Sequence, residues 1–276
     1  MASNILFLSA MKVQEYFGGK TVWLTGASSG IGEQLAILLS PVAGRLVISA
    51  RRMEELERVR KLCAKPANVF IQTIDLNSES NVREAAAIVL QQHGPVHILF
   101  ANGGISQRAL ALETTPEVLR QIMEVNFFSQ ALLAQLVTHG RQHEPLHIVV
   151  TSTLLGKWGF HTRSAYSASK HALHGYFDSL RMEVEQQGIF ITLVLPGFIQ
   201  TDVSKNALGA DGRPTREMDS NQAGGITAEV CAQRMLTGVA DRKREFAVGG
   251  SEVWGLRMKR FFPGWFEKIL RNKSAR

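Results

Sequence analysis

The stretch Thr21-Val22-Trp23-Leu24-Thr25-Gly26-Ala27-Ser28-Ser29-Gly30-Ile31-Gly32 decides the fold of this chain. A short apolar run typical of a strand leads into three spaced glycines and then into an apolar helix, which is the order found where a dinucleotide pyrophosphate binds. Gly26 permits a tight turn, Gly30 lets phosphates approach the backbone, and Gly32 lets the helix pack closely on the sheet. Because the spacing Gly-x-x-x-Gly-x-Gly differs from the commonest nucleotide fingerprint, an ordinary glycine-rich turn is the alternative.

Beyond this stretch, short β-branched runs alternate with longer amphipathic segments along the 276 residues. Such alternation is typical of a doubly wound sheet. We therefore predict one α/β domain of the Rossmann type over residues 1–276, with a seven-stranded parallel sheet and helices on both faces. Within it, residues 1–19 form an N-terminal extension, 204–226 a polar loop suited to a substrate lid, and 251–276 a C-terminal tail. The predicted strands are Val22–Thr25, Leu46–Ala50, Val69–Ile74, Ile98–Ala101, Ile148–Ser152, Phe190–Leu195 and Phe246–Val248.

The second predicted strand ends in Arg51-Arg52. NAD-binding units carry an acidic residue about 20 residues after the glycines to receive the ribose 2′-hydroxyl, whereas a basic residue there accommodates the 2′-phosphate. Guanidinium groups suit a phosphate because each can donate two parallel hydrogen bonds. A solvated helix start is the alternative, but an arginine at a helix N-terminus opposes the helix dipole. The pair therefore predicts NADP(H) as the cofactor.

Tyr166 and Lys170 stand four residues apart, which puts a phenol and a cation on the same helix face. A nearby ammonium favours the phenolate, so we expect Lys170 to lower the pKa of Tyr166 and to let the phenol exchange a proton with an alcohol or a ketone. Taken alone, the spacing is also that of an ordinary charged helix face. Its meaning depends on the remaining motifs.

In combination, these motifs resemble those of the classical short-chain dehydrogenase/reductase family over residues 20 to 202. The resemblance implies that Asn126, Tyr166 and Lys170 are catalytic, with Lys170 also holding the nicotinamide ribose and Asn126 binding a water that links Lys170 to solvent. It further implies a homodimer or homotetramer that assembles through the helices at 116–139 and 164–187. The cofactor contacts it implies are Gly26, Ser28, Ser29, Gly30, Ile31, Gly32, Arg51, Arg52, Asp75, Leu76, Asn102, Gly103, Tyr166, Lys170, Pro196, Gly197, Ile199 and Thr201.

Two positions depart from the family pattern. Ala101 replaces the first Asn of the Asn-Asn-Ala-Gly turn, which supports the sheet more than it does the chemistry. Thr153 stands thirteen residues before the tyrosine, where the family has its catalytic serine, and Ser152 lies next to it. A threonine hydroxyl can donate the same hydrogen bond, although its methyl group crowds the pocket. Thr153 and Ser152 therefore both remain candidates for the catalytic hydroxyl.

Three aromatic residues, Trp158, Phe160 and Phe198, are expected to flank the substrate pocket beside His161, which favours an apolar body around the reacting carbonyl. Simple packing is the alternative for these side chains. The stretch 164–173 further resembles the dehydrogenase/reductase member 7 and 7B branch, near the 11-beta-hydroxysteroid dehydrogenase group. That resemblance implies lipophilic carbonyls such as steroids, retinoids or acyl-dihydroxyacetone phosphate.

Composition, the two cysteines and the first apolar run argue against metal-binding, membrane-spanning and secreted proteins. A hydrophobic content of 45% is that of a globular protein. Cys63 and Cys231 have no Cys or His partner at metal-binding spacing, so we predict reduced core thiols and no metal. The first apolar run, at 5–8, is far shorter than the ~20 residues that span a bilayer. Lys12 follows this run, whereas a secretory signal has its charge in front. We therefore expect a cytoplasmic protein.

The C-terminal tail holds most of the net charge. Residues 257–276 contain seven basic residues and one acid, Glu267, so they contribute +6 of the formal +7. Either this tail is a helix that packs on its own domain or on a partner subunit while its cations stay in water, or it makes a peripheral contact with an anionic membrane surface. Nucleic acid is not expected as a partner, because no groove-reading motif accompanies the charge.

These interpretations lead to two hypotheses. The first is an NADP(H)-dependent oxidoreductase that interconverts a ketone or aldehyde and an alcohol on an apolar substrate, with Tyr166 as the general acid and base. The second is a catalytically weak NADP(H)-binding sensor or scaffold, which Thr153 at the serine position motivates.

Overall fold

The computed structural model describes residues 2–217 and 220–274. Its strands are β1 (Thr21–Thr25), β2 (Arg45–Ser49), β3 (Val69–Ile71), β4 (Ile98–Ala101), β5 (Leu146–Thr151), β6 (Ile189–Pro196), β7 (Ile199–Gln200), β8 (Ile226–Thr227) and β9 (Glu245–Val248). Its α-helices are α1 (Ala2–Phe17), α2 (Gly30–Leu39), α3 (Met53–Leu62), α4 (Glu79–His93), α5 (Pro116–Met123), α6 (Ser129–Gly140), α7 (Ser164–Val184), α8 (Ser220–Ala223), α9 (Ala228–Ala240), α10 (Gly255–Phe261) and α11 (Pro263–Ser274).

Seven strands form one sheet in the order β3-β2-β1-β4-β5-β6-β9, and every neighbouring pair is parallel. The predicted seven-stranded parallel sheet is therefore confirmed. The order changes direction between β1 and β4, and the crevice that such a reversal opens at the carboxyl ends of the strands is where doubly wound sheets bind ligands. Strands β7 and β8 form a separate two-stranded ladder that the sequence analysis did not predict.

Side chains of the central strands alternate between two hydrophobic cores because successive residues of a strand face opposite sides of the sheet. In β1, Trp23 enters one core, which α4, α6 and α7 cover. Val22 and Leu24 enter the other, which α2, α3 and α9 cover. Burial on both faces explains why these strands are continuous apolar runs rather than alternating ones.

One predicted strand is longer than the observed one. The prediction ran from Val69 to Ile74, whereas β3 ends at Ile71. Beyond it, Gln72 N still donates to Ile48 O (3.1 Å) and Ile74 N to Ala50 O (3.0 Å), so the chain stays extended beside β2 outside the regular ladder.

The predicted N-terminal extension contains α1, a helix that the sequence analysis did not anticipate. Its last turn is part of the domain: Phe17 is fully buried and stacks on Phe100 at 6.2 Å. Next to it, the Tyr16 hydroxyl lies 2.7 Å from His147 Nδ1. Met1 lies outside the described residues. None of the helices over residues 2–217 and 220–274 combines the length and apolar character that crossing a membrane requires.

The C-terminal tail forms the helices α10 and α11, which pack on the domain through one face. Phe266 is only 6% exposed and meets the Trp158 ring edge-on at 5.0 Å. Leu256, Met258 and Leu270 join the same core as partly buried residues. The tail's last two residues, at 275 and 276, lie outside the described part of the chain, as do Met218 and Asp219 of the predicted lid.

Candidate active site

A single cleft opens at the carboxyl ends of β1, β2, β4, β5 and β6, with a volume of about 1240 Å³. All eighteen residues predicted to contact the cofactor line this cleft. Ser152, Thr153, Tyr166 and Lys170 line it as well, so the structure brings the predicted cofactor residues and the predicted hydroxyl and proton-transfer residues to one cavity.

The glycine loop between β1 and α2 needs its glycines for two different reasons. Gly26 and Gly30 have φ of +68° and +57°, a region that only glycine adopts readily. A Cβ on Gly32 would lie 2.0 Å from Gly26 O, so no side chain fits there. Ser29 precedes α2 without a side-chain hydrogen bond to the helix backbone. The first N–H groups of α2 are thus left for an anion in the cleft.

Arg51 and Arg52 follow β2 at the rim of the cleft, and both are exposed. Neither forms an ion pair among the described residues. Arg58, the next arginine along the chain, differs in this respect. It is bound by Glu33 (2.7 Å) and Glu55 (2.9 Å), and these bonds and charges hold its pKa above the ordinary value. Of these three cations, Arg51 and Arg52 are therefore the two that can turn to a phosphate.

The turn after β4 ties three strands together through Asn102. Its Nδ2 donates to Thr25 O (3.2 Å), and its Oδ1 accepts from Thr151 Oγ1 (3.0 Å). Asp75 binds its own turn, since Asn77 N donates to one carboxylate oxygen (3.0 Å). A Cβ on Gly103 would lie 2.4 Å from the Leu76 side chain. These contacts agree with the expectation that this turn serves mainly the sheet.

Tyr166 and Lys170 both lie on α7, whose first turn is capped from outside the helix by Gln107. Gln107 Oε1 accepts from Ala165 N (2.7 Å), and the Gln107 side chain is buried. Lys170 Nζ donates to Thr151 O (2.9 Å) and lies 5.9 Å from the centre of the Tyr166 ring. Burial lowers the pKa of Lys170 to about 8.

The electrostatics of Tyr166 differ from the expectation. Burial raises the pKa of Tyr166, and two effects oppose it: the positive charge of Arg163 and a hydrogen bond with the Thr153 side chain. Arg163 is thus a second cation near the phenol, beside Lys170, whose Nζ lies 5.9 Å from the ring centre. Arg163 is itself buried, and its Nη1 donates to Gln107 O and to Ser106 Oγ (3.3 Å).

The two candidate hydroxyls point to different partners. Ser152 Oγ lies 2.9 Å from His174 Nε2. Thr153 Oγ1 donates to Pro196 O (3.2 Å), and the Thr153 side chain is the one that bonds Tyr166. The geometry therefore favours Thr153 over Ser152 as the hydroxyl that works with the phenol.

Behind Ser152, His174 belongs to a chain of polar groups that leads to the surface. His174 Nδ1 lies 3.3 Å from Glu245 Oε2, and Lys157 Nζ lies 2.7 Å from the same oxygen. Burial raises the pKa of Glu245, but the hydrogen bonds and charges of His174 and Lys157 outweigh it and lower that pKa to about 2. The carboxylate thus stays ionised beside the histidine.

Asn126 is fully buried in a π-helical turn, Glu124–Phe128, which joins α5 to α6. Its Oδ1 accepts from Ile105 N (2.8 Å), and its Nδ2 donates to Ile105 O (2.9 Å) and Ser169 Oγ (3.0 Å). A Cβ on Gly104 would lie 3.1 Å from Asn126 Oδ1 and 3.5 Å from Lys170 Nζ. Gly104 therefore leaves the space between the amide and the ammonium free of side chains.

Of the predicted substrate residues, Trp158, Phe160 and Phe198 line the cleft, whereas His161 does not. His161 is exposed, whereas Phe160 and Arg163 on either side of residues 161 and 162 line the cavity. The assignment of His161 to the pocket is therefore not met. Several residues of the predicted lid do border the cleft, namely Asn206, Leu208, Gly212, Pro214, Gln222, Gly224, Gly225 and Ile226.

Sequence reasoning missed the contribution of the tail to this cleft. Six residues from the last turns line it: Trp254, Gly255, Met258, Phe266, Ile269 and Leu270. It also missed Glu252, whose Oε1 accepts from Phe198 N (2.9 Å) and Gly250 N (3.0 Å) and so holds the loop after β6. The apolar residues of 256–270 recur at helical spacing, which predicts that one face of this segment is buried. The spacing does not tell which part of the protein that face packs on.

Comparisons with known proteins agree with this geometry. Residues 20–211 match the family model for short chain dehydrogenases. The chain is 33% identical to dehydrogenase/reductase SDR family member 7B of Mus musculus, over 98% of this chain and 85% of that protein. A short chain dehydrogenase/reductase from Burkholderia phymatum in complex with NAD superposes with a TM-score of 0.78 at 23% identity, over 88% of this chain and 94% of that one.

A second solved structure carries the other type of nicotinamide cofactor. The alcohol dehydrogenase from the archaeon Thermococcus sibiricus complexed with 5-hydroxy-NADP has a TM-score of 0.70 at 20% identity, over 84% of this chain and 97% of that one. At these identities the two structures establish the shared fold alone. The family resemblance inferred from the sequence motifs is confirmed by the family model and by the mouse relative.

Proposed function

This chain belongs to the short-chain dehydrogenase/reductase family, and from that premise we propose that it is an NADP(H)-dependent oxidoreductase that interconverts a ketone or aldehyde and an alcohol on an apolar substrate. One observation carries the proposal. Tyr166, Lys170 and Thr153 line the same cleft that holds the glycine loop and the exposed Arg51 and Arg52.

The residues of the cleft fit a dinucleotide. A side-chain-free cradle at Gly26, Gly30 and Gly32 and the open N-terminus of α2 suit a pyrophosphate. Arg51 and Arg52 suit a 2′-phosphate and so favour NADP(H) over NAD(H). The nicotinamide would lie near Gly197 and Lys170 and would supply or take the hydride.

The protein's own part is to bind the substrate oxygen and to move one proton. In the reductive direction, Thr153 Oγ1 donates a hydrogen bond to the carbonyl oxygen, and the O–H bond of Tyr166 breaks as its proton passes to that oxygen. The positive charge of Arg163 stabilises the phenolate that remains. Lys170 returns a proton to the phenolate from solvent through the space beside Asn126, which Gly104 leaves open.

The substrate class follows from the wall of the cleft. Trp158, Phe160 and Phe198 line it from the domain, and Met258 and Phe266 line it from the tail. An apolar wall around a few polar groups binds a substrate through its hydrocarbon body and orients it through its carbonyl. This supports a lipophilic carbonyl or alcohol, in keeping with the branch that the sequence resembles.

We also propose that the enzyme is a homodimer or homotetramer that assembles through α5, α6 and α7. Leu119 and Phe128 are exposed on α5 and at its junction with α6, and Met182 on α7 is exposed as well. Exposed apolar side chains of this kind suit a partner subunit. Light scattering on the purified protein would test this, and a monomer at all concentrations would contradict it.

A cytoplasmic location completes the proposal. Cys63 and Cys231 are free and buried, and burial raises the pKa of both thiols. Inert core thiols of this kind suit a reducing compartment.

The test is NADPH consumption against steroid, retinal, acyl-dihydroxyacetone phosphate and small aromatic carbonyls, with NADH in parallel and with the variant Tyr166→Phe. We expect turnover with NADPH, and a loss of at least ~10²-fold in Tyr166→Phe, because the phenol is the proton donor. Tight NADPH binding without turnover of any carbonyl, persisting after Thr153→Ser, would instead support the alternative of a catalytically weak sensor or scaffold.

A further inference from the structure

The outer surface of the last two helices carries an unusual concentration of large exposed side chains. Trp254, Phe261, Phe262 and Trp265 are 60%, 67%, 62% and 63% exposed. They lie within twelve residues of sequence and precede or belong to α10 and α11. Soluble proteins rarely expose clustered aromatic side chains unless these contact a partner or a membrane. We call this surface the tail face.

Cations surround these aromatic rings. Arg257 lies over the Trp254 ring at 4.7 Å, and Arg260 lies 5.9 Å from the Phe261 ring centre. Lys259 and Lys268 are exposed as well, and the acid between 257 and 272 is Glu267. Aromatic rings flanked by arginine and lysine are the pattern of a helix that lies in the interfacial layer of an anionic bilayer.

The same two helices also form part of the wall of the active-site cleft. Met258, Phe266, Ile269 and Leu270 line the cavity from the tail, and Phe266 packs on Trp158. Trp254 belongs to both surfaces, since it is 60% exposed and also lines the cleft. The tail face therefore borders the cleft at Trp254. If the tail face contacted a lipid surface, the cleft would lie close to that lipid.

We propose that the tail face docks on the surface of an anionic phospholipid bilayer, so that a lipophilic substrate passes from the lipid to the cleft alongside α10 and α11. The substrate part of this inference rests on the proposed function, whereas the membrane part does not. Charge complementarity distinguishes an anionic bilayer from a second copy of the chain as the partner of the tail face. A second copy of the chain would bring two positively charged faces together, which like-charge repulsion opposes, whereas an anionic bilayer accepts both the cations and the aromatic rings.

The membrane part is tested by sedimentation of the full chain with vesicles of phosphatidylcholine containing phosphatidylserine and with vesicles of phosphatidylcholine alone. We expect binding to the anionic vesicles that weakens as salt rises. The double variant Phe261→Ser/Trp265→Ser removes aromatic rings that do not line the cleft, and should lower vesicle binding by at least ~10-fold. Arg260→Glu/Lys268→Glu should do the same, because each cation near the surface contributes roughly fivefold to partitioning.

Matched controls come from α3 and the segment that follows it, where Leu62 and Lys61 are exposed on another surface. The double variants Met53→Ser/Leu62→Ser and Lys61→Glu/Lys65→Glu change two exposed side chains each, as the tail variants do, and should leave vesicle binding unchanged. The membrane proposal is overturned if the wild type ignores anionic vesicles while it still binds NADPH, or if the α3 variants lose as much binding as the tail variants. It is also overturned if light scattering without vesicles shows that Phe261→Ser/Trp265→Ser dissociates an oligomer, since a second copy would then occupy the face.

The substrate route is tested separately with two carbonyl substrates, one water-soluble and one carried in the vesicles. Phe261→Ser/Trp265→Ser should keep wild-type turnover of the soluble carbonyl and lose ~10-fold with the vesicle-borne one. Equal turnover of the vesicle-borne carbonyl by both proteins would contradict the route. If the wild type binds the vesicles but turns over neither carbonyl, the proposed function is rejected and the proposed membrane contact is retained.

Discussion

Ser152 Oγ lies 2.9 Å from His174 Nε2, so the serine hydroxyl has a buried partner on α7. A Cβ on Gly156 would lie 2.6 Å from the same oxygen and 2.7 Å from His174 Nε2, so the pair is also closely packed by backbone. Glu245 lies 3.3 Å from the other ring nitrogen of His174. Both hydroxyls have a protein partner, His174 for Ser152 and Pro196 O for Thr153, and Thr153 is the one that also acts on the pKa of Tyr166.

We therefore expect Thr153→Ala to lower kcat/KM by ~10²-fold, because it removes the donor to the substrate oxygen. Ser152→Ala should cost less than ~10-fold, since its hydroxyl serves His174. Steady-state kinetics of both variants with the same carbonyl would check this. A larger loss in Ser152→Ala than in Thr153→Ala would reverse the assignment of the two hydroxyls.

Arg51 and Arg52 should set the choice between NADPH and NADH. Arg51→Ala/Arg52→Ala should weaken NADPH binding by ~10- to 100-fold, because hydrogen bonds from a charged group to a phosphate contribute about 1.5 to 3 kcal/mol, and should leave NADH binding nearly unchanged. Titration of each cofactor by intrinsic fluorescence measures the effect. Lys61→Glu, on the same side of the sheet but outside the cleft lining, is the control. Equal losses for the two cofactors would show that these arginines do not read the 2′-phosphate.

Acid should destabilise the protein partly through Glu245. Its pKa is lowered from 4.5 to about 2, so the stabilisation it provides is complete above pH 4.5 and is lost as the pH falls toward 2. Denaturant unfolding of the wild type and of Glu245→Gln across this range should show a smaller loss of stability with falling pH in the variant. Glu113→Gln, at an exposed site without an ion pair among the described residues, should behave like the wild type. Parallel curves for all three proteins would contradict the linkage.

Two glycines should respond to alanine in opposite directions. Gly32→Ala should abolish NADPH binding or folding, because the added methyl group would lie 2.0 Å from Gly26 O. Gly175→Ala on α7 meets nothing within 4 Å and should stabilise the protein by about 0.4 to 1 kcal/mol through the unfolded chain. Thermal unfolding and NADPH titration of both variants would test this, and a Gly32→Ala protein with normal NADPH affinity would refute the close packing of the loop.

Local sequence patterns were sufficient for the sheet and for a set of residues that line one cleft. The apolar run before Gly26 and the glycine spacing predicted β1, the turn and α2, because a parallel strand buried on both faces is a continuous apolar run and a tight turn requires glycine. The strand ends then predicted that Thr153, Tyr166 and Arg51 share one edge of the sheet. Strands, tight turns and strand ends depend on short-range sterics and on period-two alternation, so a few consecutive residues are enough to predict them.

Contacts between distant segments could not be predicted in this way. Nothing near Ser152 in the sequence indicates that His174 binds it, and nothing near Phe198 indicates that Glu252 holds its N–H. The charge beside Tyr166 was expected from Lys170, and the structure adds that of Arg163, which the distant residues Ser106 and Gln107 hold in place.

The sequence by itself determined the fold class, the cofactor loop and the identity of the Tyr166–Lys170 pair, because each depends on local backbone sterics or helical spacing. Only the tertiary structure decided which partners the two candidate hydroxyls have and where the basic tail packs. Packing of Phe266 against Trp158 makes α10 and α11 a wall of the cleft and turns Phe261 and Trp265 outward. An amphipathic helix has two faces in any sequence, and only long-range packing selects the one that is buried.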